Sequence, residues 1–270
     1  MGIVNVTPDS FYDGGRYLDN HKAQLQIEQL VEQGADIIDL GAESSRPGSL
    51  AVSAATQLER LREPLTYALR RGIPVSIDTT SPEVADDCLA RGALLVNDVS
   101  CLRDPQLAAA TAAHDGWLIL MHSRSPMSEM KGFSLWPDDD YLDIVEDVSQ
   151  DWGRARTRAI DMGVTASKII FDPGLGFSKN ARHSYELLKR LREFKHLGAP
   201  IMSGASRKSF LSWHDQQPPT QRLGGSIAAA VLSVLNGADL LRVHDVFETQ
   251  QALAILRATQ QPDLALKNRS

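Results

Sequence analysis

An α/β fold of eight strand–helix repeats, closed into a (β/α)8 barrel of the TIM type as a single domain over residues 1–270, is predicted by three features of this sequence. Eight short apolar runs recur along the chain, they lack the polar alternation of half-exposed strands, and the segments between them carry helical periodicity. Strand-length runs rich in Val, Ile and Leu are the mark of strands buried on both faces of a parallel sheet. In a closed barrel the loops after the strands build the active site, so reactive residues at strand ends become a chemical map.

The runs follow in order. GIVNVTPDS from Gly2 ends its apolar part on Asn5, IIDLGAES from Ile37 turns at Gly41, and PVSIDTT from Pro74 ends on Asp78. LLVNDVS from Leu94 ends on Asn97, LILMHS from Leu118 leads into His122, and IIFDPGLGF from Ile169 ends on Asp172 before a Pro-Gly turn. PIMSGASRKS from Pro200 leads to Lys208, and LLRVHDV from Leu240 carries Arg242 and His244. Gly34, Gly72, Gly92, Gly116, Gly163, Gly198 and Gly237 each fall just before a strand, as left-handed helix closures would. Ser81-Pro82-Glu83 has the cap, N1 proline and early acid of a helix start; Ser226 before IAAAVLSVL and the acids Asp138, Asp139 and Asp140 are expected to open two others.

Composition sets bounds. A chain of 270 residues is close to the about 250 typical of such a barrel. The net charge of -6 and the dispersal of basic residues argue against a nucleic-acid surface. Arg154, Arg156 and Arg158 read as a solvated helix face. No run is long enough to span a membrane, and a strand beginning near Met1 leaves no room for a signal peptide, so a cytoplasmic location is expected. Cys88 and Cys101 match no zinc spacing and are expected to be reduced, and no HxH or HExxH pattern points to a tightly held transition metal.

Across almost the whole chain, these strand ends resemble dihydropteroate synthase. The resemblance is carried by MGIVNVTPDSFYDGG, GAESSRPG from Gly41, SIDTTSPEVA from Ser76, VNDV from Val96, LMHSRSP from Leu120, DPGLGF from Asp172, GASRKSF from Gly204 and RVHDVFET from Arg242, in barrel order. It implies condensation of 6-hydroxymethyl-7,8-dihydropterin diphosphate with 4-aminobenzoate, giving 7,8-dihydropteroate and pyrophosphate for folate synthesis. It also implies a homodimer formed through the later helices, with which the small-residue face of IAAAVLSVLNGA is compatible.

The chemistry fits the residue types. A pterin edge offers an amino group and a ring NH side by side, which one carboxylate accepts together; Asp172 is the candidate, its alternative being to cap its own turn. Asp78 and Asn97 can meet the remaining ring groups or serve as strand-end structure. Lys208 can donate to the ring carbonyl and stand beside the incoming aminobenzoate; Ser209 binds substrate or caps a helix. Arg207 reads as packing or a surface pair. Arg242 and His244 alternate on the last strand and would meet the diphosphate, Asp245 could orient His244, and Asn5 would supply an oxygen to a magnesium ion on the phosphates.

Loss of pyrophosphate would leave a cation delocalised into the dihydropterin, which the weakly basic arylamine attacks without a strong general base. By resemblance, Asp13 and Arg46 close over the site and order the second substrate, with plain loop charges as the alternative; Ser45, Pro47 and Phe177 match the aminobenzoate pocket. Three substitutions depart from the family pattern: Ser45 where threonine is usual, Ala42 for glycine, and Ser178 where glycine is common. The stretch from His122 to Pro126 is also about one residue shorter than usual. The DPGLGFSKN loop lacks the extra aromatic residue of sulfonamide-resistant relatives, so sulfonamides are expected to compete with aminobenzoate. The alternatives are a corrinoid-linked pterin methyltransferase domain and a non-catalytic pterin-binding paralogue.

Overall fold

The computed structural model describes residues 1–7, 16–43, 52–126, 129 and 134–266. Strands β1 (Gly2–Asn5), β2 (Ile38–Gly41), β3 (Val75–Asp78), β4 (Leu95–Asp98), β5 (Trp117–Met121) and β6 (Ile169–Asp172) form a parallel sheet in chain order. Strands β7 (Met202–Ser203) and β8 (Leu240–Leu241) pair in parallel with each other. Bridges from Phe171 to Ile201 and from Gly2 to Val243 join the two groups, so the eight strands close on themselves. Around them lie α1 (Arg16–Glu32), α2 (Ala54–Arg70), α3 (Pro82–Ala90), α4 (Gln106–Ala113), α5 (Ile144–Asp161), α6 (Ala181–Lys189), α7 (Leu223–Leu235) and α8 (Val246–Gln260). The predicted alternation is thus the observed architecture, although β7 and β8 are shorter than their apolar runs.

Strand alternation splits the apolar residues into two layers. Val4, Leu40, Ile77, Val96, Leu118 and Phe171 point outward and pack under the helices. Trp152 of α5 is fully buried there, edge-on to Phe171 at 5.1 Å, and its indole N–H donates to the Leu120 carbonyl at 2.9 Å. This contact fixes α5 against the two strands that lead to His122 and Asp172. The inward-facing Leu95, Ile119, Ile170 and Met202 fill one end of the barrel with an apolar plug. Two residues further along the same faces stand Asn97, Met121, Asp172 and Gly204, so the plug is the floor on which the polar end is built.

Local expectations fare unevenly. Ser81 caps α3 as predicted, accepting from the Val84 N–H at 3.4 Å. Ser226 does not open α7: it lies inside the helix, donates to the Arg222 carbonyl at 2.8 Å and accepts the Arg207 N–H at 2.9 Å. Asp138, Asp139 and Asp140 likewise precede the helix start. Asp143 is the cap of α5, while Asp138 pairs with Arg182 and Asp140 with Arg124. Before β5 the left-handed residue is Asp115 (φ 53°) and not Gly116, because an acidic residue also tolerates that region. Of the three helix arginines, Arg154 is solvated, whereas Arg158 reaches back to the carbonyls of Cys101 and Leu102. Among the described residues no helix is long and apolar enough to cross a membrane.

Candidate active site

Asn5, Gly41, Asp78 and Asn97 are register partners across β1 to β4, so they lie in one layer at the C-terminal ends of their strands. Arg242, just past β8, reaches across the barrel into this layer. Its Nε donates to Asp39 Oδ2 at 2.6 Å and its Nη2 to Asp78 Oδ2 at 2.7 Å. Asn97 Nδ2 donates to the same Asp39 oxygen at 3.4 Å. Burial would lower the guanidinium's pKa, but the two carboxylates outweigh it and hold the group charged. Burial pushes Asp78 up to about 7, with Arg242 opposing the rise and Asp39 adding to it.

Asp172 closes the other side. Its Oδ1 accepts the Gly174 N–H at 2.7 Å, and burial raises its pKa against the pull of Lys208. The capping role and the site position therefore coexist, since Oδ1 holds the turn while Oδ2 faces the backbone of Gly204. A Cβ on Gly204 would come within 3.7 Å of that oxygen and 3.9 Å of Arg242 Cβ. Both are ordinary van der Waals distances, so Gly204 leaves a methyl-sized space beside the carboxylate and the stem of Arg242. Lys208 Nζ donates to the Leu175 carbonyl at 2.6 Å and stands 4.3 Å above the Phe177 ring, and burial lowers its pKa to about 7. Ser209 bonds Ser134 through their hydroxyls at 2.9 Å.

His244 lies beside Arg242 but contributes no charge. Its Nδ1 is 3.0 Å from Ser206 Oγ, and burial, reinforced by Arg242 and Arg207, lowers its pKa to about 4. In the free protein the imidazole beside Arg242 is therefore neutral at physiological pH. Asp245 does not orient it: that carboxylate takes a two-point ion pair from Arg207.

The residues present do not fit the expected magnesium ion. Among the described residues no three His, Cys, Asp or Glu side chains gather as a group that could hold a metal ion. Asn5, the residue assigned to it, is a neutral amide, and the neighbouring carboxylates of Asp39 and Asp78 are already taken by Arg242. Asp13, Ser45, Arg46 and Pro47 lie outside the described residues.

Two buried groups, Asp39 and Lys179, are not named from the sequence, and a third, His122, is named there only as a strand end. Asp39, fully buried in the middle of β2, holds Arg242; an acid inside the apolar IIDL was the available signal. Lys179, also fully buried, donates to His122 Nδ1 at 2.7 Å and to the Phe177 carbonyl at 2.9 Å, and burial lowers its pKa to about 7. With Nδ1 accepting, His122 carries its proton on Nε2, which donates a hydrogen bond to Asp151 Oδ2 at 3.1 Å. Buried Asp39 Oδ1, Ser76 Oγ and Asn97 Oδ1 have no hydrogen-bond partner among the described residues, so this floor offers hydrogen-bonding capacity next to the Arg242 cation.

Residues 1–244 match the family model described as pterin binding enzyme. The dihydropteroate synthase of Synechocystis is 42% identical over 250 residues, covering 91% of this chain and 84% of that protein. The crystal structure of dihydropteroate synthase from Clostridium difficile in the presence of pteroic acid superposes with a TM-score of 0.87 at 39% identity, covering 96% of this chain and 95% of that one. The Yersinia pestis synthase in complex with a sulfonamide drug gives a TM-score of 0.87 at 35% identity, over 97% and 93% of the two chains. With a polar, cation-bearing floor at the C-terminal end of a closed barrel and matches of this extent, the chain belongs to the pterin-binding enzymes and, within them, to the dihydropteroate synthase family.

Proposed function

We propose that this chain, as one domain, condenses the dihydropterin diphosphate with 4-aminobenzoate on the floor formed by Asp39, Asp78, Asn97, Asp172, Lys208 and Arg242. The observation that carries the assignment is the bridging of Asp39 and Asp78 by Arg242, opposite Asp172 and Lys208. A flat ring with mixed donors and acceptors needs such a floor, and its anionic tail needs a fixed cation. Asp172 takes the amino and ring NH edge, Asn97 and Asp78 the remaining ring atoms, and Lys208 the ring carbonyl. Arg242 stabilises the negative charge that gathers on the departing pyrophosphate, with His244 as a neutral hydrogen-bonding partner and Asn5 at the same rim.

The relative solved with pteroic acid supports the pterin half of this reading. Phe177, 5% exposed beneath Lys208, and Ser209 provide the aminobenzoate side, with Ser45, Arg46 and Pro47 joining from the second loop and Asp13 from the first. Sulfonamides occupy the aminobenzoate position, in line with the drug complex of the Yersinia pestis relative. The protein works in the cytoplasm, where its unpaired Cys88 and Cys101 stay reduced, and as a homodimer through α7 and α8, whose Leu232, Leu235, Phe247 and Ile255 are exposed.

Calorimetry with a dihydropterin lacking the diphosphate, and with pyrophosphate alone, tests the residue roles. Asp172→Asn is expected to weaken the pterin only, and Arg242→Ala to weaken pyrophosphate as well. Unchanged pterin affinity in Asp172→Asn would remove that carboxylate from the site.

A further inference from the structure

We infer that Ser178 is a positioning residue that locks the loop after β5 to the loop after β6 and thereby sets Phe177 for the second substrate. Ser178 is fully buried and stands at φ 48°, the left-handed region that disfavours a side chain. The same hydroxyl accepts the backbone N–H groups of Arg124 at 3.1 Å and Ser125 at 3.0 Å. It also lies 3.2 Å from Ser123 Oγ, and Ser123 in turn donates to the Ser125 carbonyl at 2.8 Å. One side chain therefore satisfies the turn of residues 123–125, and only a residue with a short polar arm at 178 reaches it.

Glycine would suit the φ at position 178, yet the backbone amides of Arg124 and Ser125 both point at this position and the Ser178 hydroxyl receives them. The β6 loop is also held on either side of this hydroxyl, with Tyr141 Oη donating to the Ser178 carbonyl at 2.8 Å and Lys179 to the Phe177 carbonyl at 2.9 Å. Ser178 is thus the covalent neighbour that ties Phe177, and the Lys208 ammonium above its ring, to the β5 side of the barrel mouth.

The inference rests on Phe177 facing the aminobenzoate, as proposed above, and two variants separate it from a plain stability effect. Ser178→Ala keeps the strained Cβ and loses the hydroxyl, whereas Ser178→Gly loses both, so the glycine variant melts at the higher temperature of the two. Loss of the hydroxyl is expected to raise KM for aminobenzoate about tenfold in both, with kcat and pterin affinity within twofold of the wild type. KM that follows melting temperature, or stays within twofold in both variants, would overturn it.

Hydrogen exchange at the Arg124 and Ser125 amides supplies a readout free of activity. These amides are expected to be protected in the wild type and to exchange rapidly in both variants; continued protection would refute the lock whatever the kinetics. A wild type without turnover would instead count against the proposed function, leaving the exchange result to decide the lock.

Discussion

Replacing Asp39 by asparagine should weaken both the fold and the reaction, by amounts the geometry bounds. Asp39 is fully buried, and Arg242 approaches it at 2.6 Å. Removing one partner of a buried ion pair costs about 3–5 kcal/mol. Here Asp78 stays on the second guanidinium nitrogen at 2.7 Å. Asparagine also keeps a neutral acceptor, so about half of that cost, ~2 kcal/mol, is expected in urea unfolding. The same loss of alignment at Arg242 should lower kcat/KM for the dihydropterin diphosphate by about 30-fold, since ~2 kcal/mol is roughly one and a half decades.

An opposing effect exists, because neutralising Asp39 leaves more net positive charge for the anionic substrate. If attraction outweighed alignment, kcat/KM would rise or hold. Reduced stability with kcat/KM unchanged or improved would refute the view that Asp39 acts on the reaction through Arg242.

Other consequences follow from individual contacts. Arg242→Ala should lower turnover about a hundredfold, as expected of a cation at developing charge, and should also cost about 3–5 kcal/mol in unfolding because the buried Asp39 and Asp78 lose their partner; normal turnover in the destabilised protein would make the arginine purely structural. Gly174→Ala should cost at least ~2 kcal/mol in thermal unfolding, because φ is +66° and the new Cβ would lie 2.0 Å from the His122 carbonyl oxygen. Burial lowers Lys208 to about 7, so the free protein loses this ammonium as pH rises through that value, and kcat/KM for the diphosphate should fall with it. A Lys208→Arg variant should lack that limb; a limb that persists belongs to Lys179 or Asp78. In stability the sign is opposite: the buried ammonium destabilises the fold fully below about 7, and that cost fades towards the roughly 10.4 of an unfolded lysine. Sulfonamide inhibition should weaken as aminobenzoate is raised in steady-state assays, and inhibition indifferent to aminobenzoate would contradict the shared position.

The barrel was legible because two-faced burial writes long apolar runs, and because the site residues stand one step beyond them. Asn97, Asp172 and Arg242 could be named on that ground alone. Asp39 escaped because it sits within a run, where the strand pattern masks a side chain that faces inward. The contact between Lys179 and His122 escaped because the two lie 57 positions apart in sequence, and a buried lysine is recognised only once the packing around it is known. The lowered pKa of His244 was not legible for the same reason, since burial and two neighbouring arginines set it. Asp245 was paired with the nearer residue in sequence, while in space Arg207 meets it from the β7 loop.

The most direct test is pyrophosphate release from the dihydropterin diphosphate, measured with and without 4-aminobenzoate. Release that requires both substrates, with 7,8-dihydropteroate appearing in equal amount, is the predicted result. Tight pterin binding without any release would contradict the assignment of Arg242 and its neighbours to a condensing site.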